Sequence, residues 1–270
     1  MNQWKKALAL AAASVLMVGT LAACGADGEG SGTGSDNSLV SGETKLQLIE
    51  DGKLVMGTNA EFAPFEYMEG DAVVGIDAEI MEAVADKLGL TLEIKNMAFD
   101  TLDGTLKANQ IDVIAAGYTV DPDREENMDF TDTYYKAKQT IIVRADSTAQ
   151  AKADLEDKKI AVQTGTTGEK MAKSLTDEAN VSKQANASVA VEMLINGNVD
   201  AVIIDNIPAD VLKDKHSDKI KLIEDQFEDE LYAFAVQKGN ETLLKAMNDA
   251  IKALQDDGTI DGILKKYITE

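Results

Sequence analysis

Cysteine, histidine and tryptophan each occur once in the 270 residues. A lone cysteine, Cys24, excludes intramolecular disulfides and every metal site built from several thiolates. The lone histidine, His216, stands in Lys213-Asp214-Lys215-His216-Ser217-Asp218-Lys219 and reads as part of a solvated turn. A triad or a histidine-ligated metal needs partners at fixed offsets, and none accompanies it. There is no G-x-S-x-G elbow for a hydrolytic serine either. Positive charge is scarce: 26 Lys and Arg stand against 48 Asp and Glu, a net charge of −22. Nucleic-acid binding by phosphate neutralisation needs the opposite balance, so no DNA or RNA partner is expected. Arginine is scarcer still, with only Arg124 and Arg144.

What is present has the composition of a soluble globular protein, 44% hydrophobic and 27% charged. At roughly 100 to 200 residues per domain, the length allows one large or two modest domains. The first 23 residues stand apart. Lys5 and Lys6 precede an apolar run from Ala7 to Ala23 that is shorter than the roughly 20 residues a spanning helix needs, which reads as a signal peptide. It contains Trp4 and ends in Leu21-Ala22-Ala23-Cys24. That ending resembles the lipobox of bacterial lipoproteins, in which the cysteine is lipidated and becomes the new N-terminus; ordinary A-x-A cleavage is the alternative. Residues 24–45 form the expected linker, glycine-rich and polar from Gly25 to Asn37. Its spaced glycines make no dinucleotide fingerprint, because no strand precedes them and no helix follows.

From Lys53 onward, short apolar runs alternate with amphipathic segments. Strands are predicted over Lys53–Thr58, Leu92–Asn96 and Ile111–Ala116, and helices over Asp77–Leu88 and Thr101–Ala108. In the first helix Ile80, Met81, Val84, Ala85 and Leu88 share one face and Gly89 supplies the stop. A second set repeats the theme: strand Lys159–Gln163, helices Gly168–Leu175 and Ser188–Ile195, strand Asp200–Ile204. Such alternation predicts an α/β fold with largely parallel sheets. Two extended apolar segments, Gln139–Arg144 and Leu231–Gln237, bracket the second set as the crossings of a chain that leaves one lobe and returns. A helix over Glu241–Leu254 and a short one ending near Tyr267 close the chain.

Three loops carry candidate chemistry, and loops at strand C-terminal ends are where α/β sheets bind ligands. Thr58-Asn59-Ala60-Glu61-Phe62-Ala63-Pro64-Phe65-Glu66-Tyr67 mixes polar groups with aromatics. Phe65 and Tyr67 read as plugs of the core, while Phe62, set between polar residues, is the better ligand platform. Gly117-Tyr118-Thr119-Val120-Asp121-Pro122-Asp123-Arg124 brings one of the two arginines to a loop, where its planar fork suits a carboxylate. Gly165-Thr166-Thr167-Gly168-Glu169-Lys170 looks like half a P-loop, but the spacing is wrong and Glu169 would repel phosphate. A Gly/Thr turn that opens a helix still presents free N–H groups to an anion.

These segments carry a resemblance. Gly57 through Tyr67, Val74-Gly75-Ile76-Asp77-Ala78-Glu79-Ile80, and Ala116-Gly117-Tyr118-Thr119 through Arg124 to Asp129-Phe130-Thr131-Asp132-Thr133-Tyr134-Tyr135 resemble the extracellular solute-binding proteins of polar amino-acid ABC transporters. Gln163-Thr164-Gly165-Thr166-Thr167 and Asp200-Ala201-Val202-Ile203-Ile204-Asp205 match the second lobe of that family. The likeness runs from about Lys45 to Ile268. It implies a two-lobed type II periplasmic-binding-protein fold, with lobe 1 over 46–139 plus 237–270, lobe 2 over 145–230, and hinge strands at 140–144 and 231–236.

The resemblance also implies a site in the cleft between the lobes. Arg124 would clamp the ligand α-carboxylate, helped by Thr119 and by backbone N–H groups around Gly117 and Thr167, with Ala116 and Thr166 beside them. Asp205 would accept from the α-ammonium. Phe62 and Phe99 would stack on the ligand side chain, and Asn59 and Gln163 would meet its far end, with Glu61 close by. Acidic ligands are disfavoured, because no lysine or arginine of these motifs serves the far end. Glutamine, arginine, lysine or histidine remain, with the cations favoured if Glu61 reaches the pocket and glutamine if it faces solvent. The implied protein is a monomer without cofactor or metal, lipid-anchored on the extracellular face of the cytoplasmic membrane of a Gram-positive cell, serving an ABC permease and its ATPase. Relatives of the fold include secreted cyclohexadienyl dehydratases, but a dehydratase needs a positioned general acid, and no such group stands out beyond the binding set.

Overall fold

The computed structural model describes residues 45–223 and 227–268. The expected signal peptide, Cys24 and all but the last residue of the linker lie outside them. Strand β1 (Lys53–Thr58) runs into three short strands, β2 (Glu61–Phe62), β3 (Glu66–Glu69) and β4 (Ala72–Val74), which pair antiparallel in a small sheet. Helix α1 (Ile76–Leu88) follows and ends on Gly89 at φ 69°, a left-handed cap that glycine adopts without steric cost. Then come β5 (Thr91–Asn96), α2 (Leu102–Lys107), β6 (Val113–Ile114), α3 (Pro122–Glu125) and β7 (Met128–Phe130).

The long β8 (Tyr135–Arg144) leads into the second half: β9 (Ile160–Gln163), α4 (Thr167–Leu175), β10 (Val181–Gln184), α5 (Ala187–Ile195), β11 (Ala201–Asp205), α6 (Asn206–Lys215) and β12 (Ile220–Ile223). The chain returns through β13 (Asp229–Tyr232) and β14 (Ala235–Gln237) and finishes with α7 (Glu241–Asp256) and α8 (Thr259–Tyr267).

Two sheets organise these elements, in the orders β5-β1-β6-β14-β7 and β10-β9-β11-β8-β12. The first three strands of each are parallel and the rest join antiparallel. A parallel sheet must bury both faces, and each does. On the first sheet, Ile80, Met81 and Val84 of α1 with Met247 and Ile251 of α7 cover one face, and Leu102 and Leu106 of α2 cover the other. On the second, the period of two in β11 sends Val202 and Ile204 toward α5 and Ile203 toward α4. Each fully buried side chain of this kind stabilises the fold by roughly 1.5–3 kcal/mol.

The crossings differ from the expected ones. Residues 140–144 lie in the second sheet, where β8 pairs with β11 and β12, and 235–237 lie in the first, between β6 and β7. The strands that pass between the sheets are the earlier part of β8 and β13, paired from Lys138↔Asp229 to Tyr135↔Tyr232. Apolar runs report burial, and a central sheet strand is more buried than a crossing ribbon. The ribbon is half exposed and is held by Lys136 and Lys138, which pair with Asp229 at 2.9 and 3.4 Å. The expected strand Ile111–Ala116 shortens to Val113–Ile114, flanked by Asp112, whose backbone N–H still donates to the Val55 carbonyl of β1 at 2.8 Å. The Asp112 carboxylate accepts from Ile49 N–H (2.9 Å) and Val55 N–H (2.8 Å).

Candidate functional site

The C-terminal ends of β1, β6, β9 and β11 face a narrow crevice. Its lining is Asn59, Phe62, Phe99, Ala116, Gly117, Thr119, Arg124, Gln163, Thr166, Thr167 and Asp205. All the expected ligand-site residues therefore meet there except Glu61, which is exposed on β2. The crevice is drawn from two sheets, and hydrogen bonds already span it. Gln163 Nε2 donates to Asn59 Oδ1 (2.9 Å), and Arg124 Nη2 donates to the Gly165 carbonyl (3.1 Å). At the rim Lys170 of α4 bridges to Asp121 and Asp123 at 2.5 and 2.6 Å.

Arg124 owes its place to local sequence. Asp121 caps α3 by accepting from Asp123 N–H (3.0 Å), and Pro122 at the first helical position pre-sets the turn. Arg124 is 9% exposed, and its guanidinium donates to the Thr119 carbonyl at 2.8 Å and lies over the Tyr118 ring at 3.9 Å. Among the described residues, two of its five N–H donors have protein partners, the Thr119 and Gly165 carbonyls. Arg144 makes the contrast. It donates to the Val199 carbonyl and pairs with Asp146, in a surface hollow also lined by Asp154 and Asp200.

On the other side, Thr166 caps α4 by accepting from Glu169 N–H, and the Glu169 carboxylate takes the Gly165 N–H at 2.9 Å. Burial would raise the Glu169 pKa, but Lys183, this N–H and Lys173 bring it down to about 2. The Gly/Thr turn is thereby held by a carboxylate whose pKa lies well below the usual range. Asp205 ends β11, 8% exposed, and accepts from the Tyr232 hydroxyl at 2.6 Å. Burial first, and the charge of Glu230 second, raise its pKa to about 7.

Two expected donors point elsewhere. The Gly117 N–H is given to buried Asp77 (2.8 Å), whose pKa burial raises to about 7. The Thr119 hydroxyl donates to Glu230 Oε2 at 2.9 Å. With its only hydrogen committed, that hydroxyl offers lone pairs to the crevice and cannot support a carboxylate. Gly117 has another role: at φ 53° it lets Phe62 approach so closely that a Cβ would lie 2.7 Å from the ring. Gln163 gives amide hydrogens both to Asn59 and to the Ala185 carbonyl (3.1 Å), and Asn59 gives one to the Met97 carbonyl (2.9 Å), so the donors of these two amides are largely committed within the protein.

Residues 54–270 match the model of the bacterial extracellular solute-binding proteins, family 3. The chain belongs to this family. A Bacillus subtilis relative, the arginine-binding extracellular protein ArtP, is 32% identical over 273 residues, covering 100% of this chain and 99% of its own. Among solved structures, an ancestral arginine-binding protein bound to arginine superposes with a TM-score of 0.77 at 36% identity, covering 81% of this chain and 99% of that one. An ancestral arginine-binding protein bound to glutamine gives the same TM-score and identity, with coverages of 82% and 100%. The two sheets are accordingly the lobes of a type II periplasmic-binding-protein fold, and this family member is an amino-acid-binding protein of ABC transport.

Within this solute-binding protein the motifs missed Glu230. It accepts from Thr119, Thr167 and Gln139, and its Oε1 is buried without a partner. The signal was there in Asp229-Glu230-Leu231-Tyr232, where a strand period of two puts Glu230 on the same inward side as Tyr232. Glu66, in the loop of Thr58 to Tyr67, is a second such carboxyl. It is wholly buried, neither carboxylate oxygen has a partner, and burial together with Asp77 and Asp205 raises its pKa well above the ordinary value. Among the described residues, no group of three or more His, Cys, Asp or Glu could hold a metal ion.

Proposed function

We propose that this protein is the lipid-anchored extracellular receptor of an arginine importer, acting as a monomer and handing arginine to an ABC permease driven by a separate ATPase. The observation that carries the ligand is the far end of the crevice. Gln163 has given its amide hydrogens to Asn59 and Ala185, which leaves this end, beside Phe62 and Phe99, better supplied with acceptors than with donors. Such an end accepts the donors of a guanidinium, which also stacks on aromatic faces, and rejects a carboxylate. Arg124 and the start of α4 serve the ligand carboxylate, while Asp205 and the Thr119 hydroxyl oxygen serve its ammonium. A zwitterion needs both charges paired on leaving water.

The exposure of Glu61 supports a second reading, glutamine, since no carboxylate then awaits the guanidinium at the far end. A thermal-shift panel of the twenty amino acids decides between them, because a ligand at 100 times its Kd adds about 2.7 kcal/mol of apparent stability. Arginine should give the largest shift. A maximum for glutamine selects the second reading, and one for glutamate, aspartate or leucine overturns both. Turnover of prephenate or arogenate would replace the receptor by an enzyme. The lipobox-like Leu21-Ala22-Ala23-Cys24 supports the anchor, and the Bacillus subtilis relative supports a Gram-positive surface. Cys24→Ala should release the protein from the membrane fraction.

A further inference from the structure

Glu230 is 8% exposed on the crossing strand β13, and one of its oxygens gathers donors from both lobes. Oε2 accepts from the hydroxyls of Thr119 and Thr167, each at 2.9 Å, and from the Gln139 amide at 3.4 Å. Thr119 follows β6 of the first sheet, Thr167 opens α4 on the second, and Gln139 is where β8 enters the second sheet. A carboxylate only accepts, so each hydroxyl must give it its single hydrogen. The Thr167 oxygen also takes the Gln139 amide at 3.2 Å, leaving Thr119 with the freer lone pairs. Oε1 of Glu230 is buried and unpartnered, an arrangement that costs stability and that a purely structural residue would not need.

We propose that Glu230 is a positioning residue for the ammonium end of the ligand site: by taking the hydroxyl hydrogens of Thr119 and Thr167, one from each lobe, it completes a set of acceptors only when the lobes are closed. The inference rests on the amino-acid-binding reading. Its charge also acts on Asp205, the other acceptor of that end. Separating the lobes parts Thr119 from Thr167, so one carboxylate can no longer hold both.

The test is calorimetry with arginine on the wild-type protein, Glu230→Gln, Thr119→Val and the double variant. Each single change should weaken binding at least tenfold, and the double should fall within threefold of the weaker single, because both remove one device. Losses that multiply, or a Glu230→Gln affinity within threefold of wild type, overturn the proposal. Competition with 5-guanidinopentanoate, which is arginine without its ammonium, supplies a readout that general distortion would not move. Glu230→Gln should shrink arginine's advantage over this analogue by about the fold that arginine loses, whereas equal weakening of both overturns the role. If Glu230→Gln does not fold, Thr119→Val and Thr167→Val form the same cycle through the shared carboxylate. Should the wild type bind glutamine instead, glutamine and 4-carbamoylbutanoate replace the pair. A wild type that binds no amino acid fails the underlying reading, whereas a wild type that binds while the variants do not couple fails only this inference.

Discussion

The first lobe brings to the crevice a guanidinium and two phenyl rings, from Arg124, Phe62 and Phe99; the second brings a carboxylate, a capped helix start and an amide, from Asp205, Thr166–Thr167 and Gln163. On the proposed assignment, neither half carries a charged partner for both ends of an amino acid. A ligand held by the first lobe alone would offer its ammonium only the Thr119 hydroxyl oxygen, without the charge of Asp205, and one held by the second alone would lack the bidentate fork for its carboxylate. Complementary halves would make closure and binding one event, which a single self-sufficient lobe would not require.

The largest test of this division is Arg124→Lys, because a point charge on a flexible stem cannot reproduce two parallel hydrogen bonds. Calorimetry should show a loss of at least about 100-fold, or about 2.7 kcal/mol. An affinity within about threefold of wild type would move the carboxylate site elsewhere.

Asp205→Asn tests the opposite half and should cost about 30-fold, near 2 kcal/mol. The same residue gives the wild type a pH profile. With its pKa at about 7 without ligand, Asp205 is largely protonated below that pH and must lose the proton to face an ammonium. Affinity should therefore rise with pH up to about 7 and level off above it, falling by up to tenfold per unit in the acid range. A profile flat from pH 5 to 8 breaks the assignment.

Closure itself is read by small-angle scattering. Saturating arginine should lower the radius of gyration, with the chain bending at the ribbon of Tyr135–Lys138 against Asp229–Tyr232. An unchanged radius counts against a division of labour between the lobes.

The smallest effect belongs to the rim. Lys170→Ala removes the bridges to Asp121 and Asp123, but Lys170 is 47% exposed, and such pairs are worth about 0.2–1 kcal/mol. A loss of fivefold or less that fades at high salt is expected, and a larger salt-insensitive loss would give the rim a greater share of closure than the crevice.

Residue spacing made much of this molecule legible. The helical face of Ile80, Met81, Val84 and Leu88 and the alternation of β9 to β11 are local patterns, and they appear where the sequence places them. Motif resemblance brought the crevice residues together, with Glu61 as the exception: one residue from Phe62 on a short strand, its side chain turns to the opposite face. The crossing strands were misplaced because apolarity measures burial and not the lobe to which a strand belongs.

Sequence by itself determined the α/β alternation, the capped arginine of Asp121-Pro122-Asp123-Arg124 and the net charge of −22, since each depends on neighbours within a few residues. Only the tertiary structure decided which donors face the crevice. The hydrogens of Thr119 and Gly117 are taken by Glu230 and Asp77, which lie 111 and 40 residues away along the chain. A hydroxyl or an N–H can be given once, and whether a ligand receives it depends on which distant acceptor the fold has brought beside it.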